Sequence, residues 1–171
     1  LRPADPVERV LQHAGDHLVT ASFVQPASLR QMRILAAEDN RTNQLVFRKM
    51  VQACDIDLHF AGNGREAVEL WQSLRPDLIF MDISMPETDG REATRLIRTA
   101  EAEAGRGEHV PIIAMTAHAM DGDSAGILAA GLDQYLTKPL NKHQILERIL
   151  QFHPKGARHP MPEAPAEKGL S

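Results

Sequence analysis

Leu78-Ile79-Phe80-Met81-Asp82 decides the reading of this chain, because four apolar residues in a row close on a carboxylate. A short continuous apolar run reads as a strand buried on both faces. A charge at the end of such a strand is costly unless something pairs with it, so Asp82 requires partners.

Three more polar groups stand in the same relation to their own apolar runs. The acidic pair Glu38-Asp39 follows Arg33-Ile34-Leu35-Ala36-Ala37, Thr116 follows Pro111-Ile112-Ile113-Ala114-Met115, and Lys138 follows Asp133-Gln134-Tyr135-Leu136-Thr137. Strands are expected near 33–38, 56–60, 77–82, 110–115 and 133–137, and helices near 41–53, 64–74, 87–104, 118–130 and 141–151. Five such alternations predict an α/β domain whose parallel sheet is covered on both faces. Functional groups in such sheets gather beyond the carboxyl ends of the strands, where all of these groups fall.

Around this core the chain divides into three parts. Residues 1–31 hold Pro3, Pro6 and Pro26 and one short amphipathic stretch at Val7, Val10 and Leu11, as a linker or the edge of a preceding domain would. Residues 32–152 form the domain, and 153–171, with Pro154, Pro160, Pro162 and Pro165, are expected to be a disordered tail. The start at Leu1 rather than at methionine is what a piece of a longer protein would show. A length of 171 residues suffices for one substantial core.

Composition excludes several classes of function. A net charge of −4 with no basic block gives no support to nucleic-acid binding, and no apolar stretch is long enough to span a membrane. A single cysteine, Cys54, rules out an internal disulfide and fits a reducing, cytoplasmic setting; its place in a helical pattern reads as a small core residue. Local punctuation agrees with the element assignment. Asn40 or Thr42 caps the first helix, Asn63 the second with Glu66 in capping-box spacing, and Gly105 and Gly107 end the third. Ile145, Leu146, Ile149 and Leu150 form one core stripe, whereas the apolar residues of the first helix exceed one stripe, so that either simple core packing absorbs them or Phe47 or Leu45 is left for a partner.

Three carboxylates at neighbouring strand ends repel one another, and a hard divalent cation with oxygen ligands relieves that repulsion. Mg²⁺ suits a shallow, partly open site made of one or two carboxylates plus phosphate oxygens. With Mg²⁺ on one side and Lys138 on the other, an incoming phosphoryl group is neutralised from both. Thr116 adds a hydroxyl donor, and the carboxylate of Asp82 is a competent nucleophile for phosphorus, giving an acyl phosphate. The turn from Ser84 to Gly90, with Pro86 inside it, provides a fixed loop beside it.

Ile34-Leu35-Ala36-Ala37-Glu38-Asp39-Asn40, Met81-Asp82-Ile83-Ser84-Met85-Pro86, Ala114-Met115-Thr116-Ala117 and Leu136-Thr137-Lys138-Pro139-Leu140, in that order over about 120 residues, resemble the receiver domain of two-component signalling. The resemblance implies a flavodoxin-like (βα)5 fold, a doubly wound five-stranded parallel sheet of order 2-1-3-4-5. It implies Asp82 as phosphoacceptor, Glu38, Asp39, Asp82 and the Ser84 carbonyl as Mg²⁺ ligands, and Lys138 as the phosphate-binding cation. Thr116 and Tyr135 become the switch pair, and Lys138-Pro139 a cis peptide. Ser84 and His118 occupy positions that tune the lifetime of the acyl phosphate. The readout face is expected on the fourth helix, fifth strand and fifth helix, with Ala119, Met120, Tyr135 and His143. His13 and His17 lack an acidic residue in the pattern expected of a phosphodonor helix, since Ala14 and Leu18 follow them.

The implied function is Mg²⁺-dependent acceptance of a phosphoryl group from a phosphohistidine, on a histidine kinase or a histidine phosphotransfer domain. Such a domain catalyses its own phosphorylation and dephosphorylation. The Ala-Glu-Asp-Asn start and the segment Met115-Thr116-Ala117-His118-Ala119-Met120 resemble receivers of hybrid sensor histidine kinases, so kinase domains in the same chain are expected. A stand-alone response regulator is the alternative. An aspartyl-phosphate hydrolase usually carries a second aspartate where this chain has Ser84, and a non-phosphorylated interaction module on the same fold would tolerate loss of Asp82 or Lys138.

Overall fold

The structure, a computed structural model, describes residues 29–85, 88–117 and 123–161. The chain separates into two units, Leu1–Arg30 and Gln31–Ser171. The second carries everything described below. The amphipathic stretch at Val7, Val10 and Leu11 and the histidines His13 and His17 lie outside the described residues.

Each apolar run forms a strand: β1 Met32–Ala37, β2 Ile56–Ala61, β3 Leu78–Asp82, β4 Ile112–Thr116 and β5 Gln134–Thr137. They pair in parallel in the order β2-β1-β3-β4-β5, as expected from the resemblance. The helices are α1 Arg41–Met50, α2 Gly64–Leu74, α3 Gly90–Ala104, α4 Asp123–Ala129 and α5 Lys142–Gln151. The first and third are shorter than the sequence pattern indicates. Beyond Met50 the chain continues only as a turn at 51–53, and α3 begins at Gly90 rather than 87 because Asp89 caps it by accepting from the Glu92 N–H. In the fourth, residues 118–122 lie outside the described residues.

Alternation along the strands sorts the core into two layers. Leu35, Ala37, Ile79, Met81, Ile112 and Ala114 meet Ala67 of α2, Ala93 and Ile97 of α3 and Ile127 of α4. On the opposite face Ile34, Ala36, Phe80, Ile113 and Met115 meet Phe47 of α1 and Ile145 and Ile149 of α5. Phe47 stands edge-on to Phe80 with ring centroids 5.1 Å apart. The surplus apolar residues of α1 therefore divide, with Phe47 buried and Leu45 and Val46 exposed at 61% and 46%. On α5, Leu150 departs from the expected stripe and is exposed. That face is already filled by Ile145 and Ile149.

The caps follow the sequence. Asn40 Oδ1 accepts from the N–H groups of Thr42 and Asn43, and Asn63 Oδ1 from that of Glu66. The Glu66 carboxylate returns to the Gly62 N–H, one residue before the capping residue. At the far end of α3, Gly105 adopts φ 63, the left-handed conformation that glycine adopts without strain.

Disorder beyond 152 does not hold for residues 153–161. These residues form a strap across the end of the domain opposite the carboxyl ends of the strands. Ala157 is buried, and Met161 packs against the α1/α5 layer with its sulfur 3.9 Å from the Cys54 thiol. The Pro160 carbonyl accepts from the Asp55 N–H at 2.7 Å, and Arg158 grips the Asp55 carboxylate through two nitrogens at 2.7 and 3.1 Å. The prolines limit regular structure here without preventing packing. Cys54, expected in the core within a helix, lies past the end of α1, half-buried against the α1/α5 layer, and burial pushes its thiol up, against an opposing pull from Lys142.

Ending the chain at Phe152 is expected to lower the free energy of unfolding by about 2 kcal/mol, from the lost burial of Ala157 and Met161. An unchanged urea midpoint would show that the strap contributes nothing. Hydrogen bonds from Arg158 and Gln31 hold the Asp55 carboxyl down at about 2. A depressed acid stabilises the fold above its ordinary value near 4 and loses that contribution as pH falls through about 2. The stability lost in Arg158→Ala is therefore expected at pH 7 and to shrink between pH 4 and pH 2.

Candidate functional site

Sheet register assembles the site. Ala37 pairs with Met81, so the residues that follow, Glu38 and Asp82, emerge side by side. Asp82 pairs with Met115, and Thr116 with Thr137, which brings Thr116 and Lys138 to the same rim. The Lys138 N–H donates to the Thr116 carbonyl at 2.7 Å, and the Lys138-Pro139 bond is cis, as expected.

Glu38, Asp82 and Thr116 are buried, while Asp39 is exposed at the rim. Carboxylate oxygens of Glu38, Asp39 and Asp82 lie within 4.8 Å of one another. Lys138 Nζ bridges the two buried acids, 2.9 Å from Asp82 Oδ2 and 3.2 Å from Glu38 Oε2. The other Asp82 oxygen accepts from the Ser84 N–H at 2.9 Å. Burial alone would lower the Lys138 ammonium, but its hydrogen bond to Asp82 and the charges of Asp82 and Glu38 hold it above its ordinary value. Glu38 is pushed up by burial, and further by Asp82, against the opposing pulls of the Asn40 N–H and Lys138.

The walls of the site are backbone. A Cβ on Gly90 would lie 2.3 Å from the Asp82 carbonyl oxygen, so only glycine lets α3 start this close. The Gly64 N–H donates to the Thr88 carbonyl at 3.0 Å, tying the loop after β3 to the start of α2.

Glu38, Asp39, Asp82, Ser84, Thr116 and Lys138 thus share one site. Tyr135 stands apart from it, exposed on β5 beside Leu128, Gln144 and Arg148. His143 is exposed at the start of α5, and His118, Ala119 and Met120 lie outside the described residues. Two residues that the strand-end pattern does not single out join the acidic pair. Asn43 Nδ2 donates to Glu38 Oε1 at 3.3 Å, and Gln44 Nε2 to the Glu38 carbonyl at 2.7 Å. Their signal in the sequence is position, since side chains in the first turn of a helix lean back over the residues before it.

The model of the response regulator receiver domain matches residues 34–150, more than half of the chain. The chain belongs to the receiver domain family. Sensor protein GacS of Pseudomonas syringae pv. syringae is 36% identical over 160 residues, covering 91% of this chain and 18% of that protein. This receiver chain therefore spans less than a fifth of that relative's length. The receiver domain of Ssk1 from Saccharomyces cerevisiae, solved with the histidine phosphotransfer signaling protein Ypd1, matches with a TM-score of 0.67 and 34% identity, covering 72% of this chain and 90% of that one. The receiver domain of the sensor histidine kinase PA1611 of Pseudomonas aeruginosa, which has magnesium coordinated in its active-site cleft, matches at TM-score 0.63 and 36% identity, covering 72% of this chain and 97% of that one. Among the described residues, no helix is long and apolar enough to cross a membrane.

An acid raised by burial favours folding while protonated, and that contribution is lost as pH rises from its ordinary value near 4.5 through the raised one. Glu38→Gln is therefore expected to raise the melting temperature at pH 7 in the absence of divalent cations, and to leave it unchanged below about pH 4. A loss of stability at pH 7 would mean that the pulls of Lys138 and the Asn40 N–H outweigh the cost of burying this charge.

Proposed function

We propose that this receiver accepts a phosphoryl group on Asp82 from a phosphohistidine, in a Mg²⁺-dependent phosphorelay. The observation that carries the reading is the setting of Asp82, a buried carboxylate at a strand end with Lys138 on one oxygen and the Ser84 N–H on the other. The donor set supports the metal. Three carboxylates converge from two strand ends, and all are hard oxygen ligands of the kind Mg²⁺ takes. Glu38, Asp39, Asp82 and the Ser84 carbonyl would hold the ion, which when bound neutralises phosphoryl oxygens.

In the transfer a lone pair of the Asp82 carboxylate forms the new P–O bond as the donor's P–N bond breaks. The imidazole keeps the electron pair of that bond. Lys138 sits where it can leave its carboxylate partners for the phosphoryl oxygens. Thr116, one residue beyond the Asp82 partner on β4, brings its hydroxyl to the same group, and Tyr135 on the adjacent strand is the aromatic that answers its movement. The added charge then biases a pre-existing equilibrium of the α4-β5-α5 surface.

A histidine phosphotransfer domain or histidine kinase is the partner this chemistry requires, and the exposed Leu45 and Val46 offer it an apolar contact beside the site. The likeness to a receiver-sized part of the much longer GacS, and to the hybrid signal transduction histidine kinase I of Dictyostelium discoideum, supports a place in a hybrid sensor histidine kinase, with kinase domains in the same chain and the receiver in the cytoplasm. A hydrolase reading is not favoured, since Ser84 stands where that class places its acid-base aspartate.

Intact-mass analysis after incubation with a small phosphodonor is expected to show one phosphoryl adduct that requires Mg²⁺ and is absent in Asp82→Asn. Lys138→Met is expected to slow uptake about a hundredfold while tightening Mg²⁺ binding, because the ion then meets no competing ammonium. Uptake by Asp82→Asn at the wild-type rate would overturn the assignment.

A further inference from the structure

Strand pairing carries the backbone as far as the Glu38 N–H, which donates to the Ala61 carbonyl of β2 at 2.9 Å, but the ladder fixes neither the Glu38 side chain nor the 38–39 peptide beyond it. Glutamate at position 38 has one more rotatable bond than aspartate, and immobilising it on a ligand costs rotamer entropy. Asp39 is exposed, so its direction depends on how the 38–39 peptide is oriented. What holds both is the first turn of α1.

That turn departs from the usual capping arrangement. In a capping box the third helical residue bonds back to the N–H of the capping residue. Here the Asn40 N–H goes instead to Glu38 Oε1 at 3.1 Å, so the buried acid takes the place of the helix residue. Asn43, the residue freed from that duty, donates its amide to the same Glu38 oxygen at 3.3 Å. Lys138 holds the other oxygen at 3.2 Å. Gln44 reaches back to the Glu38 carbonyl at 2.7 Å, which fixes the plane of the peptide that carries Asp39.

We infer that Asn43 and Gln44 are positioning residues for the metal site, Asn43 holding the carboxylate of Glu38 and Gln44 the peptide from which Asp39 projects. This rests on the reading of Glu38 and Asp39 as Mg²⁺ ligands. The two residues act at different points, and that difference can be measured. Asn43 acts through the Glu38 side chain, so its effect depends on side-chain length. Gln44 acts through the backbone, so its effect does not.

Titration calorimetry of Mg²⁺ into the intact chain tests this, with melting curves in the absence of metal as the control for folding. Asn43→Ala and Gln44→Met are each expected to weaken Mg²⁺ binding about tenfold, as loss of a partner to a metal ligand does. In a Glu38→Asp background the shorter carboxylate no longer reaches Asn43, so Asn43→Ala should then cost little while Gln44→Met keeps its full effect. Wild-type affinity in both single variants, with unchanged melting, would overturn the inference while leaving the metal site intact. So would equal losses from Asn43→Ala in the two backgrounds. No Mg²⁺ binding by the unsubstituted chain would overturn the metal-site reading itself, and this inference with it.

Discussion

A single ammonium makes the carboxyl end of this sheet tenable. Glu38 and Asp82 are buried side by side, and their mutual repulsion rises as water is excluded. Lys138 answers both at once from 2.9 and 3.2 Å. It is delivered from the edge strand β5, two strands away from β3. Register across β3, β4 and β5 is therefore an electrostatic requirement as well as a packing one, because a slip of one residue would turn Lys138 away from both acids.

Two backbone approaches close the pocket around that charge. Gly90 lets α3 begin against the Asp82 carbonyl, and Gly64 lets α2 meet Thr88. Both remove side chains at points where a strand end, a loop and a helix start converge. The loop after β3 is thus braced from two helices, which keeps the Ser84 N–H aimed at Asp82.

Most of the fold was legible because its signals are local. Four apolar runs ending in Glu38-Asp39, Asp82, Thr116 and Lys138 announce buried parallel strands and the rim where they finish, and Asn40 and Asn63 announce their helices. What remained hidden depends on contacts between distant segments. Nothing in the sequence of α1 says that Phe47 will find Phe80 while Leu45 stays in water. The strap at 153–161 reads as disorder from its prolines, yet it is held by Arg158 on Asp55, a pair 103 residues apart with no periodicity to betray it. Asn43 and Gln44 look like ordinary surface polar residues until the carboxylate behind them is in view.

The Pro160 carbonyl on the Asp55 N–H has a consequence for self-association. β2 is an edge strand, and an edge strand offers open donors and acceptors to any neighbouring chain. The strap occupies the donor at the threshold of that strand with a residue that has no N–H to give in return. At that point the strap satisfies one backbone donor without extending the sheet, because Pro160 cannot donate to a further strand.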